Sequence, residues 1–286
     1  EQKILDEINY LFSKIEIKRD ELIEYLHILQ DKYGVLFDKH LVALSEITKL
    51  PLAEIYEVAT FYAHFNIIKN IETIEPINVV RVCESLTCEL FGAKKILAAL
   101  KTSDKKNVKV LPGPCMGRCD VAPTVCVGKN YVDHATVEKV NESIDRKDFD
   151  TKIPNYKKYE DYINDGGYLF IKKIDNKTVS NEEIINCLND SGLKGKGGAG
   201  FPTGRKWELV LQNAGEKFIA INGDEGEPGT FKDKLYLETD PHWFLEGVLI
   251  ASKVMNAEKV YIYLRDEYPA AIEILRREIL KLEKEN

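Results

Sequence analysis

Four cysteines in two close pairs, Cys83-x4-Cys88 and Cys115-x3-Cys119, restrict what this chain can become more than any other feature. Four thiolates at such spacing suit a tetrahedral sulfur site, so the fold must bring two separate loops to one place. Cys83 ends the apolar run Ile77-Asn-Val-Val-Arg-Val, which reads as a buried strand. Cys88 falls near the start of the next helix, where the helix dipole and unpaired N–H groups favour a thiolate. Cys115 and Cys119 lie in Gly113-Pro-Cys-Met-Gly-Arg-Cys-Asp120, whose glycines free the backbone to wrap an object and donate N–H groups to sulfur. A dithiol redox site needs two residues between its cysteines, and neither pair has that. Zinc tolerates these spacings, so zinc and iron-sulfur both stay open on the residues alone. Cys126 and Cys187 read as buried small hydrophobes. His27, His40, His64, His134 and His242 are scattered, and read as packing or surface residues.

The rest of the chain falls into four stretches. Residues 1–75 are helical by period: Leu22, Leu26 and Leu29 share a face of 20–33, Gly34 stops that helix, and another runs from Ala53 to Phe65 after Pro51. In residues 76–146 the strand at Ile77 is followed by a helix from Glu89 to Leu100 and a strand from Val108 to Leu111. After the cysteine loop come strands at Thr124–Val127 and Tyr131–Asp133 around a Gly128-Lys-Asn130 turn, then a helix from Thr136. That order, βαβ then ββα, predicts a thioredoxin-like fold with one parallel unit and one hairpin. Residues 147–180, rich in Lys, Asp, Tyr and Asn, read as a linker wrapping the surface. Residues 181–286 read as α/β layers, with a helix at Glu182–Leu188, strands at Lys217–Ile221 and Val260–Leu264, and helices from Lys206, Pro241 and Pro269. Two strands are too few to bury both faces of a sheet, so this part is expected to be incomplete.

Composition narrows the class of partner. With 40 basic and 47 acidic residues the net charge is −7, so no broad basic field exists to condense on nucleic acid. No run has the apolar length of a membrane span, and the first residues lack the core of a signal peptide, so a cytoplasmic protein without membrane insertion is expected. In that compartment paired cysteines point to metal or redox chemistry rather than disulfides.

A glycine-dense run, Gly195-Lys-Gly-Gly-Ala-Gly-Phe-Pro-Thr-Gly204, is the second candidate site. Gly195, Gly197 and Gly200 match G-x-G-x-x-G, but a helix precedes them where the dinucleotide fingerprint needs a strand, so that reading is rejected. What remains is local: successive amides can converge on a phosphate or a flat ring, and Lys194, Lys196, Arg205 and Lys206 supply positive charge. A solvated basic loop is the plain alternative. Phe201, between Gly200 and Pro202, reads as a stacking platform for a nicotinamide or adenine ring. Asn222-Gly-Asp-Glu-Gly-Glu-Pro-Gly229 follows an apolar strand, the edge where open α/β sheets bind ligands. Carboxylates repel phosphate, so Asp224, Glu225 and Glu227 would face ribose hydroxyls or ring N–H donors, and Asn222 a ring carbonyl edge. A hydrated turn or a divalent-cation loop is the alternative.

These stretches together resemble two subunits of respiratory complex I joined end to end. Glu57-Val-Ala-Thr-Phe-Tyr62, the two cysteine pairs and Cys115-Met-Gly-Arg-Cys-Asp-Val-Ala-Pro123 resemble its small thioredoxin-like 2Fe-2S subunit. Ser191-Gly-Leu-Lys-Gly-Lys-Gly-Gly-Ala-Gly-Phe-Pro-Thr-Gly204, Lys206-Trp207, Asp224-Glu-Gly-Glu-Pro-Gly-Thr-Phe-Lys-Asp233 and Pro241-His242 resemble the N-terminal part of its flavin-bearing, NADH-binding subunit. A fusion in this order is also similar to the diaphorase subunits of NAD-reducing hydrogenases and of related NAD-linked formate dehydrogenases. The resemblance implies a 2Fe-2S cluster on Cys83, Cys88, Cys115 and Cys119. It implies FMN along the loop holding Gly195, Lys196, Gly197, Gly198, Gly200 and Lys206, and along Asn222, Asp224 and Glu225. NADH would meet Phe201 and Glu227. The implied activity is NADH dehydrogenase (diaphorase), with no side-chain acid or base, because the flavin takes the hydride. Partners would be NAD(H) and other iron-sulfur subunits of a redox complex. Two departures stand out: Lys196 replaces an arginine usual in the family, and the ligands of the family's 4Fe-4S cluster are absent from this chain. The rival expectation is a non-catalytic, zinc-stabilised adaptor with a nucleotide-sensing domain.

Overall fold

Apolar residues at helical spacing along the first sixty positions leave little choice but to bury a common stripe, and they do so as four packed helices. The computed structural model describes residues 2–62, 64–69, 77–103, 105–196 and 198–285. It divides into two compact units, Glu1–Thr151 and Lys152–Asn286. In the first unit α1 (Gln2–Phe12), α2 (Leu22–Tyr33), α3 (Asp38–Thr48) and α4 (Leu52–Phe61) enclose Ile8, Tyr25, Leu26, Leu29, Leu41, Leu44 and Ile55. Each fully buried side chain of this size contributes roughly 1.5–3 kcal/mol of transfer free energy. Gly34 ends α2 in left-handed backbone at φ 75°, and a Cβ there would lie 1.7 Å from the Ile77 carbonyl oxygen. Glycine therefore serves both the helix exit and the close passage of the chain entering the sheet. A short parallel pair, β1 (Leu36–Phe37) with β2 (Ile67–Ile68), was not expected from the sequence. The helix expected to reach Phe65 ends at Phe61, because Tyr62 turns to extended backbone.

The sheet of this unit is built from β3 (Asn78–Cys83), β4 (Val108–Gly113), β5 (Val125–Val127) and β6 (Asn130–Val132), in the order β4-β3-β5-β6. β3 and β4 are parallel, while β5 is antiparallel to both β3 and β6, as the βαβ-then-ββα reading requires. Val80, Val82, Val125 and Val127 form its fully buried centre. The single helix expected at Glu89–Leu100 is two, α5 (Leu86–Leu90) and α6 (Ala93–Lys101), because Gly92 adopts φ 93° between them. α7 (Val137–Asp145) closes the unit, its Thr136 side chain capping the Lys139 amide.

The second unit begins with a finding against expectation. The segment read as a linker carries two helices, α8 (Tyr159–Asn164) and α9 (Leu169–Asp175). Its polar composition hides three buried residues, Tyr162, Tyr168 and Ile171, and a buried chain of hydrogen bonds. Tyr168 meets His242 Nδ1 at 2.9 Å, His242 Nε2 meets Glu278 at 2.8 Å, and Tyr156 donates to Glu278 at 2.7 Å. Buried polar groups persist where they are paired, and no local period reveals such pairing. α10 (Asn181–Asp190) starts in a capping box of Ser180 and Glu183. It is followed by α11 (Thr203–Leu211), β7 (Phe218–Gly223), α12 (Lys232–Thr239), α13 (Pro241–Met255), β8 (Lys259–Leu264) and α14 (Pro269–Glu285). β7 and β8 are parallel and in register from Phe218 against Lys259 to Gly223 against Leu264. Gly223 suits the close pairing there, since a Cβ would lie 2.9 Å from the Tyr263 carbonyl oxygen of β8. Cys187 corrects an expectation: it is exposed rather than buried in its helix face. Cys126 is half-buried, its thiol directed to the Gly128 carbonyl at 3.2 Å.

Candidate functional site

The cysteine loops meet because β3 and β4 are parallel neighbours, which puts their C-terminal ends side by side. Glu84, just after Cys83, donates its amide to the Gly113 carbonyl at 2.9 Å, tying one loop to the other. Cys83, Cys88 and Cys115 are buried, and Cys119 is half-buried. Cys83 hydrogen-bonds to both Cys115 and Cys88, and Cys115 Sγ lies 3.7 Å from Cys119 Sγ. Two thiolates on one tetrahedral metal at about 2.3 Å each stand about 3.8 Å apart, so the last pair already has the spacing of shared ligation. Among the described residues no group of three or more ligands converges to hold one metal ion. The sulfurs follow one another in a chain, Cys88 to Cys83 to Cys115 to Cys119.

The thiols respond to this crowding unequally. The Cys83 hydrogen bond lowers the pKa of Cys88. Cys115 is driven well above the ordinary thiol range, first by its hydrogen bond with Cys83 and then by burial. At Cys83 the bond with Cys115 pulls the thiol down, while the bond with Cys88 and burial push it up, and the balance is upward. Cys83 and Cys115, packed against each other, thus resist ionising, a penalty that a bound metal would remove. Amides of Ser85, Thr124 and Gly117 are hydrogen-bonded to the sulfurs of Cys83, Cys88 and Cys115 respectively. Arg118, between the last two cysteines, holds Asp133 with two bonds, Nε to Oδ1 at 2.7 Å and Nη2 to Oδ2, and covers the Tyr131 ring. That clamp fixes the second cysteine loop against the end of β6. Sequence reasoning missed it, because the two partners are separated by two strands and a turn.

In the second unit the glycine loop is a closed bend. Lys194 bridges Pro202, the Gly195 amide donates to the Phe201 carbonyl at 2.9 Å, and the Thr203 amide donates to Leu193 at 2.9 Å. Gly198 and Gly200 take φ 108° and 62°, and a Cβ on either would meet nothing within 4 Å. Backbone conformation, not crowding, demands glycine at both. Gly197 lies outside the described residues. The amides of Lys196, Gly198, Ala199 and Gly200 donate no main-chain hydrogen bond among the described residues. The ammonium groups of Lys194, Lys196 and Lys206 have no carboxylate partner among them either, whereas Arg205 is paired with Glu208 at 2.8 Å. Phe201 is 48% exposed. Unpaired amides, unpaired cations and a bare ring over open space fit a phosphate-bearing planar cofactor. Gly204 instead packs α11 on α10, for a Cβ there would strike Asn189 at 2.3 Å.

α11, through Trp207 and Val210, and β7, through Ile219, both border the cluster of Ile184, Ile185, Val254 and Met255. The glycine loop precedes α11 and the acidic loop follows β7. Asn222, Asp224 and Glu227 are exposed there, and Asn222 Oδ1 accepts the Asp224 amide at 2.8 Å. Glu225 departs from its neighbours: it is 3% exposed and turned inward. Its carboxylate accepts the Asp233 amide at 3.1 Å, the Lys234 amide at 3.2 Å and the Tyr268 hydroxyl at 3.1 Å. Burial pushes its pKa up, but the bonds from Asp233, Lys234 and Tyr268 outweigh that and leave it below the usual carboxylate value. A cavity of about 390 Å3 in this unit is lined by Lys157, Tyr162, Asp165, Gly166, Gly167, Asp240, Trp243 and Glu246, none of them a predicted site residue. The glycine loop, Asn222, Asp224 and Glu227 are exposed instead.

Comparison with known proteins agrees with both halves of this geometry. Residues 8–148 match the family described as thioredoxin-like 2Fe-2S ferredoxin, and residues 188–286 match the Nuo51 FMN-binding domain. A subunit of the NADH-quinone oxidoreductase of Aquifex aeolicus (strain VF5) is 47% identical over 133 residues, covering 46% of this chain and 31% of the relative. The NAD-reducing hydrogenase HoxS subunit alpha of Cupriavidus necator is 28% identical over 313 residues, covering 97% of this chain and 51% of the relative. The crystal structure of an NAD+-reducing NiFe-hydrogenase in the air-oxidized state shares the fold, with a TM-score of 0.66 at 24% identity over 92% of this chain and 49% of that one. The chain thus spans about half the length of these relatives or less. Successive parts of the chain thus match a thioredoxin-like 2Fe-2S family and an FMN-binding family, and the zinc-stabilised adaptor is not favoured. No helix among the described residues is long and apolar enough to cross a membrane.

Proposed function

We propose that this chain, a 2Fe-2S region and an FMN-binding region in one polypeptide, is the diaphorase module of a larger redox complex. It would move a hydride between NAD(H) and FMN and pass electrons singly to iron-sulfur clusters. The observation that carries this reading is the presence, on one chain, of four adjoining cysteines at the end of a sheet and of an exposed glycine loop and exposed acids in the second unit. Relatives of both regions are named as subunits of NADH-quinone oxidoreductase and of an NAD-reducing hydrogenase, which supports iron-sulfur partner subunits of that kind. Six free thiols support a cytoplasmic place of work.

Each residue has a defined task in this reading. Cys83, Cys88, Cys115 and Cys119 would hold the two irons, with Arg118 and Asp133 keeping their loop in place. The amides of Lys196, Gly198 and Gly200 and the ammonium groups of Lys196 and Lys206 would bind the flavin phosphate, with Gly195 shaping the turn. Phe201 would stack on the nicotinamide and exclude water from its face. Asn222 and Asp224 would orient the ring system, Glu227 would meet the ribose hydroxyls of NADH, and Glu225 would support the loop they share. FMN, when bound, supplies the hydride and one-electron chemistry, so no side chain need act as acid or base. We further propose the division 1–75 helical bundle, 76–146 cluster domain, 147–180 wrapping segment and 181–286 cofactor domain.

The test is optical. The chain purified without oxygen should show both flavin and iron-sulfur absorption, and NADH should bleach the flavin band within one mixing time. A colourless preparation containing zinc and no riboflavin phosphate would overturn the proposal.

A further inference from the structure

We propose that Arg265 and Tyr268 are positioning residues for the cofactor surface, acting through Glu225 to hold the Asn222–Gly229 loop in shape. The inference deepens the diaphorase reading and rests on it for its kinetic arm. It starts from strand order. β7 and β8 are parallel, so the loop leaving β7 at Gly223 and the loop leaving β8 at Leu264 emerge side by side. The first carries the exposed acids, and the second carries Arg265 and Tyr268, both buried.

The two residues grip Glu225 at different atoms. Arg265 Nη1 donates to the Glu225 carbonyl oxygen at 2.6 Å, fixing the main chain, and Arg265 Nε is neutralised by Glu267 at 3.1 Å. Tyr268 donates its hydroxyl to the Glu225 carboxylate at 3.1 Å. On its far side that carboxylate takes the first amides of α12, from Asp233 and Lys234, while Lys232 approaches it at 3.4 Å. One residue in the middle of an otherwise exposed loop is thus clamped from the β8–α14 turn and from the start of α12. Asp224 and Glu227, on either side of it, point outward as a consequence of where Glu225 is held. An exposed loop that must present polar groups to a ligand with sub-ångström accuracy needs such a buried anchor.

Tyr268→Phe removes one hydroxyl and keeps the ring. Tyr156→Phe is its control, because it deletes a tyrosine-to-glutamate bond in the same unit, at Glu278, with no link to the loop. Amide hydrogen exchange followed by mass spectrometry on the full chain, without added ligand, should show peptides covering 222–229 exchanging roughly tenfold faster in Tyr268→Phe. That is the factor expected for losing one hydrogen bond to a charged group. Tyr156→Phe should leave the same peptides unchanged. In the flavin-loaded chain, Tyr268→Phe should raise the KM for NADH about fivefold with kcat held within twofold, and Arg265→Gln should do the same or more. Equal exchange of 222–229 in both tyrosine variants would overturn the inference, as would an unchanged KM beside a lowered melting temperature. Failure of the diaphorase reading shows separately, as an unaltered chain that retains no flavin, and the exchange result still decides the clamp.

Discussion

Three of the four paired cysteines of the first unit are enclosed, with Cys83 and Cys88 exposed by 1% and 2%, while the glycine loop and the acids Asp224 and Glu227 of the second unit stand open to solvent. The difference follows from what each is built to hold. A sulfur cluster is gripped by covalent-strength bonds and can replace part of the core, so its ligands belong inside the sheet's end. A diffusible nucleotide must enter and leave, so the groups that meet it stay exposed and cannot stabilise themselves by burial. The second unit answers with an internal anchor, Glu225, whose partners reach the surface loop from behind. Burial does the holding in one site and a buried hydrogen-bond network does it in the other.

The sharpest way to break this contrast is to remove a sulfur. Cys115→Ser should abolish iron binding and the cluster spectrum, because a hydroxyl at a buried ligand position neither ionises nor replaces a soft donor. Flavin retention should persist; simultaneous loss of both would show that the two sites are not separately built. Next in size is Glu225→Ala, expected to destabilise the second unit by about 3 kcal/mol in urea denaturation, since it strands the amides of Asp233 and Lys234 and the Tyr268 hydroxyl. A loss below about 1 kcal/mol would remove the anchor from the comparison. The same residue sets a pH dependence. Its folded pKa lies below the ordinary 4.5, so the ionised form favours the folded state. This stabilisation is complete above 4.5 and falls away as pH drops through the lower folded value, and Glu225→Gln should flatten that acid limb of the stability curve. The smallest effect belongs to Phe201→Ala, which should cost about 1 kcal/mol or less in NADH binding, seen as a KM raised up to several-fold, with FMN still bound. Its global stability should shift by less than about 0.5 kcal/mol, since the ring is already 48% exposed.

Much of the first unit was legible in the residues. Alternation of small apolar groups gave β3, β5 and β6 to within a residue or two, and the order of elements gave the parallel and antiparallel pairings. The break at Gly92 was not legible, because the surrounding apolar spacing runs through it and only the φ of 93° ends the helix. In the second unit the strands were found but the helices inside the wrapping segment were not: α8 and α9 are short, and Tyr168, His242 and Glu278, which bond to one another there, lie far apart in sequence. Among the acids of the Asn222–Gly229 loop, nothing in their spacing separates Glu225 from Asp224 and Glu227. Only Arg265 and Tyr268, a strand and two helices later, make that distinction.

Residue order by itself determined the chemical inventory: soft ligands in two pairs, glycines where the backbone needs left-handed angles, acids placed after a strand. These are local properties, set by side-chain chemistry and by which φ each residue tolerates. Tertiary structure alone decided which thiol faces which, which acid is buried and which loop is anchored from beneath. Such facts depend on which strand ends come to lie together, and the free energy that puts them there is summed over the whole core rather than written at any one position.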